Sequence, residues 1–324
     1  MTTGHSELLR EATDTALAAA IRAPSPHNSQ PWRFEVCPGR IDVLLDRSRV
    51  LQVVDPDGKE ARIACGAALF NIRAALRSAR LTTTTELKPA TENPDLQATV
   101  RVTGQPYEPT AEDLLLAAAV EFRHTNRYTF TDRPVSDEIR NELVYAAREE
   151  GGQLVTLDEP AQLDALAGLV SGADEAQRRN AGFRTELARW TTRLGERDEG
   201  VPIEVGGPRP STDGLFAVGP LRTNGDAGRT RRPLPLVGVL TTHTNSDEDL
   251  LRAGQALQCV LLTATSWDVR AAFLSQPVEV AETGRALRNL VAATGQPQVV
   301  LRFGYSSVAL PTPRRPVSAV SRYL

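Results

Sequence analysis

The chain has 324 residues, a net charge of −3, 41% hydrophobic and 24% charged residues. That suits one large globular unit or two domains and excludes the basic excess of a nucleic-acid binder. Cys37, Cys65 and Cys259 stand far apart, His5, His27, His124 and His243 lack metal-site spacing, and no apolar run is long enough for a membrane span, so a reduced, cytoplasmic protein without membrane or metal is expected.

In chain order, Leu9, Ala12, Ala16 and Ala20 fall near one face and predict a helix over 6–22, with Ser6 as its cap. The stretch A-P-S-P-H-N-S-Q-P-W, Ala23 to Trp32, ends it. Pro24, Pro26 and Pro31 fix their own φ and push the residue before each toward extended backbone, so this loop is stiff. It presents Ser25, His27, Asn28, Ser29 and Gln30, donors and acceptors that suit the edge of a heteroaromatic ring. Taken alone, a helix-to-strand connection anchored by Trp32 is the simpler reading.

Strands are expected over 33–37 and 41–46, a helix over 59–78, a strand over 94–102, helices over 110–122 and 136–150 (the latter started by Ser136 and Asp137), a strand over 153–157 and helices within 160–194. Residues 195–233 are rich in glycine and proline and read as a long loop or lid. A strand over 234–242, helices over 246–266 and 279–292, a strand over 298–305 and the tail P-T-P-R-R-P-V complete the chain. The segment around Gly66, C-G-A-A-L-F-N-I-R, resembles A-G-Q-A-L-Q-C-V-L around Gly254, 188 residues later. Two halves of one fold explain this as well as chance likeness between two Ala-rich helices does.

Three further segments carry polar chemistry. In E-F-R-H-T-N-R-Y, Arg123 and Arg127 flank His124 and Thr125, a pattern that suits a phosphate and, alone, equally a solvated helix end. Arg314 and Arg315 lie in the proline-stiffened tail, where they can close over an anion or form a flexible basic terminus. A-A-F-L-S-Q-P-V-E places Leu274 and Ser275 in a loop whose backbone N–H groups can meet a ligand. Nucleophile-elbow, P-loop and dinucleotide motifs are missing. Glu60 and Glu279 are a conceivable acid pair that nothing in the spacing supports.

Together these segments resemble the FMN-dependent nitroreductase family. A-P-S-P-H-N-S-Q-P-W is similar to its P-S-x-x-N-x-Q-P-W loop, R-H-T-N-R-Y to its R-x-S-x-R-x-F segment with Thr125 in place of serine, and P-R-R-P-V to its C-terminal basic segment. In the ordinary family the basic segment comes first; here the proline loop precedes it by about 100 residues. That order, with the repeat, resembles the Acg-type branch, in which two nitroreductase-like halves are fused and imitate the family's homodimer.

The resemblance implies an α+β fold of two fused halves, 1–110 and 111–324, each a mixed antiparallel sheet flanked by helices. It implies one FMN per chain between the halves, because only one complete set of segments is present. Arg123, Thr125 and Arg127, helped by Arg314 and Arg315, would hold the phosphate and ribityl chain, and His124 would contact the cofactor. Pro24, Ser25, Pro26 and Asn28 would lie along the isoalloxazine, and a backbone N–H at Leu274 or Ser275 would face flavin N5. With the hydride chemistry supplied by the flavin, no catalytic acid or base is required. The implied activity is ping-pong reduction of a nitroaromatic or quinone-like small molecule by NAD(P)H. The alternative is FMN sequestration beneath a lid at 195–233. A monomer is compatible with either.

Overall fold

The structure is a computed structural model that describes residues 3–90, 92–206, 236–291, 295–306 and 310–324. Helix α1 (Thr3–Ala20) buries Ala16, Leu17 and Ala20 completely. Because it starts at Thr3, Ser6 lies inside it and the expected cap is absent; a polar first turn conceals a helix end from pattern reading. Strands β1 (Trp32–Cys37) and β2 (Arg40–Leu45) form a hairpin that turns at Gly39, whose φ of +71° favours a residue without a Cβ. Helix α2 (Lys59–Ser78) is anchored at its start by Asp55, which accepts from the N–H groups of Glu60 (3.1 Å) and Ala61 (2.9 Å).

Strands β3 (Leu81–Leu87) and β4 (Leu96–Pro106) pair antiparallel. The sequence L-T-T-T-T-E-L of β3 has no apolar run, so only its pairing with β4 defines it. Helix α3 (Ala111–Phe122) carries a capping box between Thr110 and Asp113, and Ser136 caps α4 (Asp137–Glu149). Then come β5 (Gln153–Thr156), α5 (Pro160–Arg179), α6 (Ala181–Trp190) and the short pair β6 (Thr191–Thr192) and β7 (Val201–Pro202). Of the expected lid, residues 207–233 lie outside the described residues. Beyond them are β8 (Leu236–Thr242), α7 (Asp247–Ser266) capped by Ser246, β9 (Arg270–Phe273), α8 (Gln276–Glu279), α9 (Ala281–Leu290), β10 (Gln296–Gly304), α10 (Val317–Val320) and β11 (Ser321–Tyr323).

Two main sheets result, ordered β11-β1-β2-β4-β3 and β5-β8-β10-β9. All pairings within them are antiparallel except β1 with β11. The expected α+β architecture is therefore present. Strand β11 returns the C-terminus to the first sheet, setting Phe34 against Ser321 and Val36 against Tyr323.

The two sheets meet through α2 and α7. An added Cβ on Gly66 would lie 2.3 Å from the Leu251 carbonyl oxygen, and one on Gly254 would lie 2.0 Å from that of Ile63. Each glycine thus admits the other helix's backbone. Gly66 and Gly254, and likewise Ile63 and Leu251, are offset by the same 188 residues. The exchange extends to the cores: Ile63 packs in the core beneath the second sheet, and Leu251 in the core beneath the first. Each such aliphatic side chain contributes roughly 1.5–3 kcal/mol when fully buried.

Candidate functional site

A cavity of about 490 Å³ opens between the proline loop, the first turn of α2, the segment after α3 and the loop after β9. The chain leaving α3 is stitched to β9: Thr125 bridges Ala271, and the Asn126 N–H donates to the Ala271 carbonyl at 2.8 Å. This brings Thr125 and Arg127 to the same cavity as Leu274 and Ser275. The Leu274 N–H is engaged by the Val300 carbonyl at 2.9 Å, which leaves the Ser275 N–H as the donor of that pair available to a ligand.

The proline loop is more constrained than its prolines alone require. His27, Asn28 and Gln30 all have left-handed φ, +48°, +55° and +52°, an uncommon state for side-chain-bearing residues that needs outside support. That support is visible. The Asn28 amide donates to the carbonyls of Gly200 (2.8 Å) and Pro313 (3.0 Å), and its oxygen accepts from Arg314 Nη1 at 2.8 Å. The Gln30 amide donates to the Asp198 carbonyl at 2.8 Å, and its oxygen accepts from the Arg315 N–H at 2.9 Å. Pro24, Ser25 and Pro26 line the cavity, and His27 does too. Asn28 does not line it; its side chain ties the loop to the tail and to the segment at Gly200.

Behind Arg127 sits a buried cationic group. Arg123 is 4% exposed; its Nη2 donates to the Arg22 carbonyl at 3.0 Å, while Nε and Nη1 meet no acceptor among the described residues. Arg314 Nη2 donates to the Ala23 carbonyl at 3.4 Å, and its Nε is likewise unmet. Among the described residues no carboxylate pairs with Arg123, Arg127 or Arg314. Burial, then the charge of Arg127, lowers Arg123 to about 10. Burial, then the charges of Arg123, Arg127 and Arg22, lowers Arg314 to about 9, and burial lowers Arg127 to about 10. All three remain charged at neutral pH. His124 is half-buried among them, and burial and then Arg123 depress it to about 4, so it is neutral there. Arg315 answers to other charges: after burial, those of Arg49, Asp46 and Glu199. The two arginines of the tail therefore serve different surroundings.

The acid pair for which the sequence spacing gave no support shares this cavity. Glu60, Glu279 and Gln276 line the cavity with His27, Gln298 and Arg302. Glu60 lies in the first turn of an Ala-rich helix and Glu279 ends α8, so no local pattern joins them. Residues 187–206 contribute Leu187, Trp190, Val201, Pro202 and Ile203, which cover one side. Cys65 and Cys259 are buried, and burial pushes both thiols up to about 12; neither is a nucleophile. Among the described residues no His, Cys, Asp and Glu group can hold a metal ion, and no helix is long and apolar enough to cross a membrane.

Fold and site together define a two-sheet α+β protein whose cavity is bordered by Arg127, with Arg123 and Arg314 behind it. The chain is 34% identical over 325 residues, 96% of its length and 91% of the other's, to the Mycobacterium tuberculosis H37Rv protein named "Putative NAD(P)H nitroreductase Rv3131". It is 29% identical, with 94% of each chain covered, to the acg protein of the same strain, which carries the same description. It belongs to the nitroreductase family. A nitroreductase with bound FMN from Desulfitobacterium hafniense DCB-2 is a distant structural likeness, at 12% identity and a TM-score of 0.42 over 65% of this chain and 98% of that one. No family model matches the chain.

Proposed function

We propose that the chain binds one FMN in this cavity and uses it as an NAD(P)H-dependent oxidoreductase toward small aromatic acceptors. The observation that carries this is the trio of buried Arg123 and half-buried Arg127 and Arg314, whose guanidinium groups face no carboxylate among the described residues. Unpaired buried charge is costly, and a phosphate close to a dianion meets that need with short, charge-assisted hydrogen bonds. The donor set suits the group. Arg127 and Arg314 take the phosphate, with Arg123 holding the loop at Arg22. Thr125 and His124 lie along the path to the ring, Pro24, Ser25 and Pro26 border it, and the Ser275 N–H is placed to donate to it. A cavity of this size also suits a ligand of that class. When bound, FMN supplies hydride transfer; the residues position it, shield it from water and set its polarity. Arg315 supports the loop through its N–H to Gln30 and stands outside the phosphate group.

The reciprocal α2–α7 crossing supports a chain built from two halves that imitate a dimer, with the tail strand β11 exchanged back onto the first sheet. Such a chain needs no second copy to complete its site. Titration of flavin-free protein with FMN, followed by absorbance, is expected to saturate at one per chain. A ratio of two, or no saturable binding, overturns the reading.

Sequestration remains the second reading, and one observation favours it. Residues 187–206 line the cavity and are bonded to Asn28 and Gln30, so this side is covered. Anaerobic mixing with NADH or NADPH separates the two. Prompt bleaching of oxidised flavin supports turnover; retention of tightly bound, unbleached FMN with both donors supports storage.

A further inference from the structure

Glu60, Glu279 and Gln276 bring two carboxylates and an amide carbonyl to the cavity, which Gln298 and Arg302 of β10 also line. Asp55 is already spent on the N–H groups of Glu60 and Ala61. Glu186 accepts from the N–H groups of Val53 and Val54. The Glu60 carboxylate has no such partner among the described residues. Glu279 accepts from Gln177 alone. Gln276 is 3% exposed and lines the same cavity, and its Oε1 meets no donor among the described residues. The charged groups acting on the pair are each other, Asp55 from the loop before α2, and Glu186 from α6. No cation of the described residues is among the charges acting on the pair; Arg302 lines the cavity and stacks over the Phe130 ring, and Arg62 acts on Asp55 and is ion-paired with Asp247 at 2.9 Å.

We propose that Glu60, Glu279 and the Gln276 carbonyl form a recognition site for a cationic, N–H-bearing group, such as an amidinium, guanidinium or primary ammonium, on the molecule that enters the cavity. Two neighbouring carboxylates and the unmet Gln276 Oε1 on one cavity leave N–H groups as their complement, and two neighbouring carboxylates drawn away from bulk water are stabilised by a cation or by a proton. Burial, then the charge of Glu279, pushes Glu60 well above the ordinary carboxylate range. Burial, reinforced by Asp55 and Glu186 and opposed by the Gln177 hydrogen bond, pushes Glu279 up to about 7. Without a ligand the pair is therefore partly protonated at neutral pH. A bound cation takes the proton's place: the carboxyl O–H bond breaks, the proton leaves to buffer, and both carboxylates face the N–H groups. As a statement about the substrate, this rests on the flavin reading above; as a statement about the wall, it does not.

The test is calorimetry on the full-length protein, FMN-loaded and FMN-free, with benzamidinium as probe and benzamide and benzoate as neutral and anionic controls. The expected results are benzamidinium binding with proton release, affinity rising between pH 5 and 7 and levelling above, and benzamide at least about tenfold weaker. Glu60→Gln and Glu279→Gln are each expected to weaken benzamidinium by about tenfold or more, with thermal unfolding confirming that both variants fold. Equal binding of benzamide, affinity that does not change with pH, or unchanged affinity in both variants overturns the proposal. Benzamidinium binding together with failed FMN titration sinks the flavin reading alone; the reverse sinks this one alone.

Discussion

The cavity is bordered by two groups of opposite charge, Arg127 with Arg123 and Arg314 behind it, and Glu60 with Glu279, and they differ in kind as well as sign. At one, burial depresses Arg127, and burial with repulsion from neighbouring arginines depresses Arg123 and Arg314, yet only to about 9–10. A guanidinium has no means of discharging near neutral pH, so this end demands an anion under all physiological conditions. At the other, Glu60 and Glu279 are displaced upward, and Glu279 reaches about 7. Carboxylates relieve repulsion by taking a proton, so this end demands a cation only when no proton is present. Permanent charge suits a resident phosphate. Conditional charge suits a group that arrives and leaves.

The largest expected effect comes from disturbing the frame beneath both ends. A Cβ on Gly254 would lie 2.0 Å from the Ile63 carbonyl oxygen and 2.7 Å from the Gly66 Cα. Neither backbone can yield without moving α2, which carries Glu60. Gly254→Ala is expected to lower unfolding stability by about 2–4 kcal/mol and to weaken FMN and benzamidinium together. Gly168→Ala, on an open face of α5 with nothing within 4 Å, is the control and is expected to be neutral or slightly stabilising. Similar stability losses in both variants would show that the crossing is not tight.

Next in size is selective loss at the cationic end. Arg127→Met and Arg314→Met each remove a charged donor that the proposed function assigns to the phosphate, and each is expected to weaken FMN by roughly 10- to 100-fold. Benzamidinium affinity in the flavin-free protein is expected to stay within about twofold. Arg315→Met is expected to cost FMN much less, because Arg315 faces Arg49, Asp46 and Glu199. If Arg315→Met strips the flavin as Arg314→Met does, the division of the tail between two surroundings is wrong.

The two ends also differ in how far the sequence exposes them. The cationic end is written in short segments: the stiff proline loop, Arg123 to Arg127 and the Arg-Arg tail each show their character within a few residues. Local signals likewise placed α2 at Lys59–Ser78 and the start of α4 at Ser136, because capping involves atoms only a few residues apart. The acidic wall has no local signature, since Glu60 and Glu279 meet only when the α2–α7 crossing and the turn after β9 close. The same holds for β3 and β11, whose strand character comes from their partners rather than their composition. Asn28 also holds the loop, a task that only the folded positions of Gly200, Pro313 and Arg314 assign to it.

The smallest expected effect separates permanent from conditional charge most directly. Glu279 is raised from 4.5 to about 7 in the folded chain, so the folded state keeps a proton that the unfolded state gives up across that interval. The Glu279 contribution to stability is therefore fully present below about 4.5, is lost as pH rises toward about 7, and stays lost above. Glutamine at this position neither titrates nor carries charge. The Tm difference between Glu279→Gln and the parent chain is thus expected to be near zero at pH 4.5, to grow in favour of the variant up to about pH 7, and to hold at a few °C beyond it. Arg127 is charged throughout this range, so the Tm difference for Arg127→Met is expected to be flat from pH 4.5 to 8. A flat difference for Glu279→Gln as well would mean that its carboxyl ionises as an ordinary surface group. The acidic wall would then carry permanent charge like the arginine end, and its preference for cations would not depend on pH.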